Sequence, residues 1–122
     1  MAKTVLIVDD SKSLRQVVSM ALKGAGYDVI EAENGQEALK ILNETAMINL
    51  IVSDVNMPVM NGLEFAQKVK GMDIHKYTPI LMLTTESDTS KKDTAKAAGV
   101  KAWMTKPFAP TALVNAAAKL AK

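Results

Sequence analysis

The sequence predicts a doubly wound α/β fold, with a five-stranded parallel sheet flanked by five helices. Three observations carry that expectation. Short apolar runs recur without polar alternation, as strands covered on both faces require. Each run is followed by a stretch whose apolar residues are spaced for one face of a helix. The alternation repeats five times, and parallel strands need right-handed crossovers of this kind.

The strands come first. Four runs are almost continuously apolar: Val5 to Val8, Leu50 to Val52, Ile80 to Leu83, and Val100 to Met104 around Lys101. A weaker run, Tyr27 to Ala32, follows Gly24 and Gly26. Those glycines read as turn residues. They precede a strand, whereas a dinucleotide loop follows one.

The helices follow in order. Leu14, Val17, Val18, Ala21 and Leu22 make one apolar face. Ser13 with Gln16 offers a capping box for that helix, with a start nearer Ser11 as the alternative. Asn34 with Glu37 opens a second helix, and Asn61 with Glu64 a third. Residues Thr89 to Ala98 read as a fourth, stopped by Gly99. Pro110 suits the first turn of a fifth, with Leu113, Ala116, Ala117 and Leu120 on its apolar face. Strand order does not follow from periodicity; the flavodoxin-like order 2-1-3-4-5 is one common solution.

Composition narrows the class. With 122 residues, 48% of them hydrophobic, the chain is expected to be one domain over 1–122 with a core of its own. There is no cysteine, which removes disulfides, thiolate metal sites and thiol nucleophiles. The net charge of +2 supplies no clustered basic face for nucleic acid. No stretch reaches the about 18 apolar residues that span a membrane, and the N-terminus turns charged too soon for a signal peptide. A cytoplasmic protein with no output domain attached is the expectation, and a monomer the simplest one.

The chemistry gathers at strand ends. The first strand ends in Asp9-Asp10, the third in Asp54, the fourth in Thr84-Thr85 with Glu86 next, and the fifth in Thr105-Lys106 before Pro107. In a parallel sheet all these ends lie along one rim, where open α/β sheets bind ligands. Three carboxylates beside one ammonium repel each other, so they either hold protons or share a cation. Mg²⁺ suits such a set, since it takes oxygen ligands and keeps several waters that a phosphoryl oxygen displaces. A hydroxyl and a lysine opposite complete a phosphoryl pocket. Each residue alone has a plainer role: aspartates cap helices, threonines favour strand ends and lysines are solvated. The conjunction of four strand ends outweighs those readings. His75, the only histidine, reads as loop surface; the eight methionines read as core fillers; Lys91 and Lys92 read as a solvated helix face.

These residues resemble a known family. Asp9-Asp10, Asp54 in "SDVNMPVMNG", Thr84 in "LMLTTE" and Lys106-Pro107 in "WMTKPF" are similar to the receiver domain of two-component response regulators, over nearly the whole chain. Ending at a fifth helix, the chain resembles the single-domain chemotaxis class. The resemblance implies that Asp54 accepts a phosphoryl group from a histidine kinase. It implies that Asp10, Asp54 and the Asn56 carbonyl ligate Mg²⁺, with Asp9 acting largely through water. It implies that Thr84 and Lys106 hold the phosphoryl group, and that the Lys106–Pro107 bond is cis. Asn56 and Glu86 would set the lifetime of the phosphorylated state. Thr84 would move together with the aromatic residue before the lysine, Tyr or Phe in most of the family and Trp103 here. A partner would dock on the fourth helix, fifth strand and fifth helix.

Three rivals remain. A phosphatase of the haloacid-dehalogenase type also uses an aspartyl nucleophile, Thr, Lys and Mg²⁺, but wants a second aspartate where Asn56 stands. A flavodoxin-type FMN carrier wants a phosphate loop where Asp9-Asp10 stand. A degenerate receiver serving as a docking scaffold would lack some acceptor or metal residue, and none is missing.

Overall fold

Each apolar run becomes a strand of one parallel sheet. The computed structural model describes residues 2–84, 96 and 99–121. Its strands are β1 (Thr4–Val8), β2 (Asp28–Ala32), β3 (Leu50–Asp54), β4 (Ile80–Thr84) and β5 (Ala102–Thr105). The described helices are α1 (Lys12–Gly24), α2 (Gly35–Glu44), α3 (Gly62–Lys70) and α4 (Pro110–Leu120). The sheet order is β2-β1-β3-β4-β5, all parallel, which is the flavodoxin-like order. Of the predicted helix over 89–98 only Lys96 is among the described residues; Thr85, Glu86, Lys91 and Lys92 lie outside them. Gly99 has a φ of +91°, and its N–H donates to the Lys96 carbonyl.

The sheet separates two cores. Successive side chains of a strand point to opposite faces. Leu6, Val8, Ile51, Ile80 and Met82 pack on one face with Leu42 of α2 and Phe65 and Val69 of α3. Val5, Ile7, Leu50, Val52, Leu81 and Leu83 pack on the other with Val18 and Leu22 of α1 and Leu113 of α4. The central strands are therefore apolar on both faces until their polar ends, Ser53 and Asp54 in β3 and Thr84 in β4, which is why their runs show no alternation. Each such side chain contributes roughly 1.5–3 kcal/mol on burial. β2 and β5 are the edge strands and are only half-covered, hence the weaker run before Ala32. β5 starts at Ala102, later than the apolar run; Lys101 is exposed and its N–H bonds to the Ile80 carbonyl.

The caps explain where the helices begin. Asn34 accepts from the Glu37 N–H and Asn61 from the Glu64 N–H, as the spacing predicts. Of the two serines, Ser11 is the cap of α1, accepting from the Leu14 N–H; the Ser13–Gln16 box does not form. The acidic pair is thus followed at once by a helix. Pro110 opens α4, where its missing N–H costs nothing.

Two expectations are corrected. His75 is not loop surface but fully buried. Its Nε2 lies 2.9 Å from the carbonyl oxygens of both Leu42 and Thr45, and its Nδ1 3.4 Å from Thr78 Oγ1. The loop after α3 passes the end of α2, whose last carbonyls have no donor within the helix, and the ring supplies one. The methionines are not all core fillers. Met82 is buried and Met57, Met60, Met72 and Met104 pack half-buried, but Met20 and Met47 are 75% and 72% exposed. Among the described residues, no helix is long and apolar enough to cross a membrane.

Candidate functional site

The strand order fixes the site. β1 and β3 are neighbours, so Asp9 and Asp10, just beyond β1, stand beside Asp54 at the end of β3. β4 and β5 follow on the same side, bringing Thr84 and Lys106 to the rim. A carboxylate oxygen from each of Asp9, Asp10 and Asp54 lies within 4.8 Å of the others. Asp9 and Asp54 are buried and Asp10 is exposed. Lys106 Nζ stands 3.2 Å from Asp54 Oδ1 and 3.6 Å from Asp9 Oδ2. Four residues of the predicted rim, from three separate strand ends, are thus in one cluster.

Asp9 is held on every side but one. Its N–H donates to the Ala32 carbonyl (3.1 Å), and its Oδ1 accepts from the Ser11 N–H (2.8 Å). Its backbone carbonyl accepts from the Arg15 guanidinium (2.6 Å). The remaining oxygen, Oδ2, is buried without a hydrogen bond among the described residues. Burial pushes the Asp9 carboxyl above its ordinary range; the Ser11 N–H pulls it back, while the charge of Asp54 pushes it further up. Burial likewise raises Asp54, against the Lys106 ammonium and the N–H groups of Val55 and Asn56, which favour the carboxylate.

That arrangement fits a divalent cation. One lysine faces three carboxylates, and a buried anionic oxygen lacks a hydrogen bond. The donor set is oxygen throughout, the chemistry of a hard ion such as Mg²⁺, and the exposed Asp10 leaves it a route to water. Asp9, Asp10 and Asp54 are the residues that would hold it.

The remaining predicted residues divide. Thr84 is fully buried at the end of β4, and its carbonyl accepts from the Lys106 N–H (2.6 Å). The Lys106–Pro107 peptide bond is cis. Trp103 pairs with Met82, two residues before the Thr84–Thr105 pair, so Trp103 and Thr84 belong to the same sheet face. Trp103 is half-buried against the core of α2 and α3, and its Nε1 is buried without a partner among the described residues. Asn56 is exposed beside Asp54. Glu86 lies outside the described residues.

Two residues of the site went unread in the sequence. Arg15 is one; on a helix it looks like a solvated cation. Gly62 is the other. It opens α3 directly against the backbone of Asp54, where a Cβ would overlap the Asp54 carbonyl oxygen. Its place after the Asn61 cap was the available signal.

A family model for the response regulator receiver domain matches residues 5–118. The chain belongs to this receiver family. It is 42% identical over 109 residues to the chemotaxis protein CheY1 of Helicobacter pylori, covering 88% of each chain. It superposes on the chemotaxis response regulator CheY4 of Vibrio cholerae with a TM-score of 0.92, at 46% identity, covering 98% of this chain and 99% of that one. It is 37% identical to the phosphate regulon regulator PhoB of Pseudomonas aeruginosa, but spans only 48% of that protein. As a receiver domain the chain is a signalling phosphoacceptor, with its acidic cluster poised for Mg²⁺-dependent phosphorylation. The haloacid-dehalogenase alternative finds no support.

Proposed function

We propose that Asp54 is the phosphoacceptor of a two-component relay of the chemotaxis type, fed by the phosphohistidine of a histidine kinase. The observation that carries this reading is the meeting of Asp9, Asp10 and Asp54 within 4.8 Å, with Lys106 3.2 Å from Asp54. The chemotaxis assignment rests on the similarity to CheY1 and CheY4.

Phosphoryl transfer asks a protein mainly for positioning and charge neutralisation. An Asp54 oxygen attacks phosphorus, the P–N bond of the donor breaks, and the histidine leaves to take up a proton. The product is an acyl phosphate on Asp54. Bound Mg²⁺ would neutralise charge on the transferred group and orient the nucleophile. Asp10, Asp54 and the Asn56 carbonyl would hold it directly, and Asp9 would act largely through water. Lys106, already paired with Asp54, turns to the phosphoryl oxygens, and the Thr84 hydroxyl donates to another. Loss of the signal is hydrolysis: water attacks phosphorus in line and the Asp54 carboxylate leaves. Asn56 and Glu86 flank that path and set its rate. Thr84 and Trp103, on one face of the sheet, change together on phosphorylation and alter the partner surface of the predicted fourth helix, β5 and α4.

Intact mass after incubation with acetyl phosphate tests the chemistry. One added phosphoryl group that requires both Mg²⁺ and Asp54, and is absent in Asp54→Ala, supports it. No mass gain and no beryllofluoride complex would leave a docking scaffold as the better reading.

A further inference from the structure

Arg15 lies outside the acidic cluster yet touches its frame. The guanidinium donates through Nη1 to the Asp9 carbonyl (2.6 Å) and through Nε to Glu31 Oε1 (3.2 Å). The Arg15 side chain is only 11% exposed. Glu31 sits on β2 opposite Ile7, and the Asp9 N–H bonds to the Ala32 carbonyl on the same strand. The peptide unit between Asp9 and Asp10 is therefore gripped from α1, while α1 itself is anchored to β2.

We propose that Arg15, held by Glu31, is a positioning residue that sets the affinity of the acidic pair for Mg²⁺. This rests on the reading of the cluster as the metal site. The Asp9 carbonyl belongs to the peptide plane that leads into Asp10. Asp10 is exposed, and among the described residues no hydrogen bond or ion pair orients its carboxylate. Its direction thus depends on that plane, and Arg15 fixes the plane from its carbonyl side. The guanidinium suits the task because its planar fork meets two acceptors at once, which a lysine does not.

Charge alone argues the opposite sign. Arg15 is a cation near a cation site, so its removal should strengthen Mg²⁺ binding if only electrostatics mattered. A brace predicts weaker binding, because loss of an outer-shell partner typically costs about 10- to 100-fold in metal affinity. The two accounts are separated by direction.

Titration calorimetry with MgCl₂ on the full chain, well below the melting temperature, reads this directly. Wild type should bind, and Arg15→Met should bind about 10-fold more weakly. Glu31→Gln should weaken binding less, and the double variant should be no worse than Arg15→Met. Arg15→Lys should recover only part of the loss. Unchanged or tighter binding in Arg15→Met, beside a lower melting temperature, would reduce Arg15 to a fold-stabilising contact and overturn the proposal. A wild type that takes up no Mg²⁺ would overturn the metal-site reading itself.

Discussion

Gly62 is built against the backbone of Asp54. A side chain there would overlap the Asp54 carbonyl oxygen and stand 2.9 Å from Val55 Cα, both backbone atoms with no freedom to turn aside. The Gly62 N–H also donates to the Val55 carbonyl at 2.7 Å. Helix α3 thus starts as close to the end of β3 as a peptide chain permits. Gly62→Ala is expected to cost about 1–3 kcal/mol in urea denaturation, the usual range for overpacking. It should also slow labelling of Asp54 by acetyl phosphate, because relief of the clash moves the acceptor.

The pH dependence of stability should be inverted for this site. Asp9 and Asp54 have folded-state pKa values raised above 3.8, chiefly by burial. Just above pH 3.8 the native state therefore binds more protons than the unfolded chain, and stability contributed by these groups falls as pH rises. Above the folded pKa the whole penalty is present. In EDTA, Asp54→Asn should melt higher than wild type at pH 7 and lose that advantage toward pH 4. Mg²⁺ should stabilise wild type at pH 7 and leave Asp54→Asn nearly unmoved. Equal melting temperatures in EDTA at pH 7 would contradict this.

Val59 carries strain in the loop between Asp54 and α3. Its φ is +73°, and its side chain is 72% exposed, so the β-branched residue gains little packing for a left-handed backbone. Val59→Asn should stabilise the protein by about 1 kcal/mol in chemical denaturation, since asparagine tolerates this region. A loss of stability would mean that the strain is offset by contacts of the valine.

Trp103 is the only tryptophan, so its fluorescence reports one place. The proposed coupling with Thr84 expects beryllofluoride with Mg²⁺ to shift or quench its emission. The response should vanish in Asp54→Ala and shrink in Thr84→Ala. A spectrum unchanged by a complex that forms by other measures would uncouple the indole from the site.

Much of this was legible in the sequence because the fold writes itself in patterns. Strands buried on both faces leave continuous apolar runs, and a parallel sheet sends their carboxyl ends to one rim. Asp9, Asp10, Asp54, Thr84 and Lys106 were found by that rule alone. What escaped were contacts made to backbone. His75 bonds carbonyls of Leu42 and Thr45, about thirty residues away, and backbone carbonyls carry no residue code. Arg15 escaped in the same way, through the carbonyl of Asp9. Ser11 and Ser13 are chemically identical caps two positions apart, and only the path of the chain after Asp10 chose between them.

The 2.6 Å bond from the Lys106 N–H to the Thr84 carbonyl has a consequence for signalling speed. It ties the backbones of the two residues proposed to hold the phosphoryl group together at the end of the β4–β5 ladder. The proposed change at Thr84 would then be a turn of one hydroxyl about its own Cα–Cβ bond, made on a stationary frame. Rotamer turns of that kind need no ladder bond to break, so the proposed change at Thr84 and Trp103 would reach the partner surface with the β4–β5 pairing left in place.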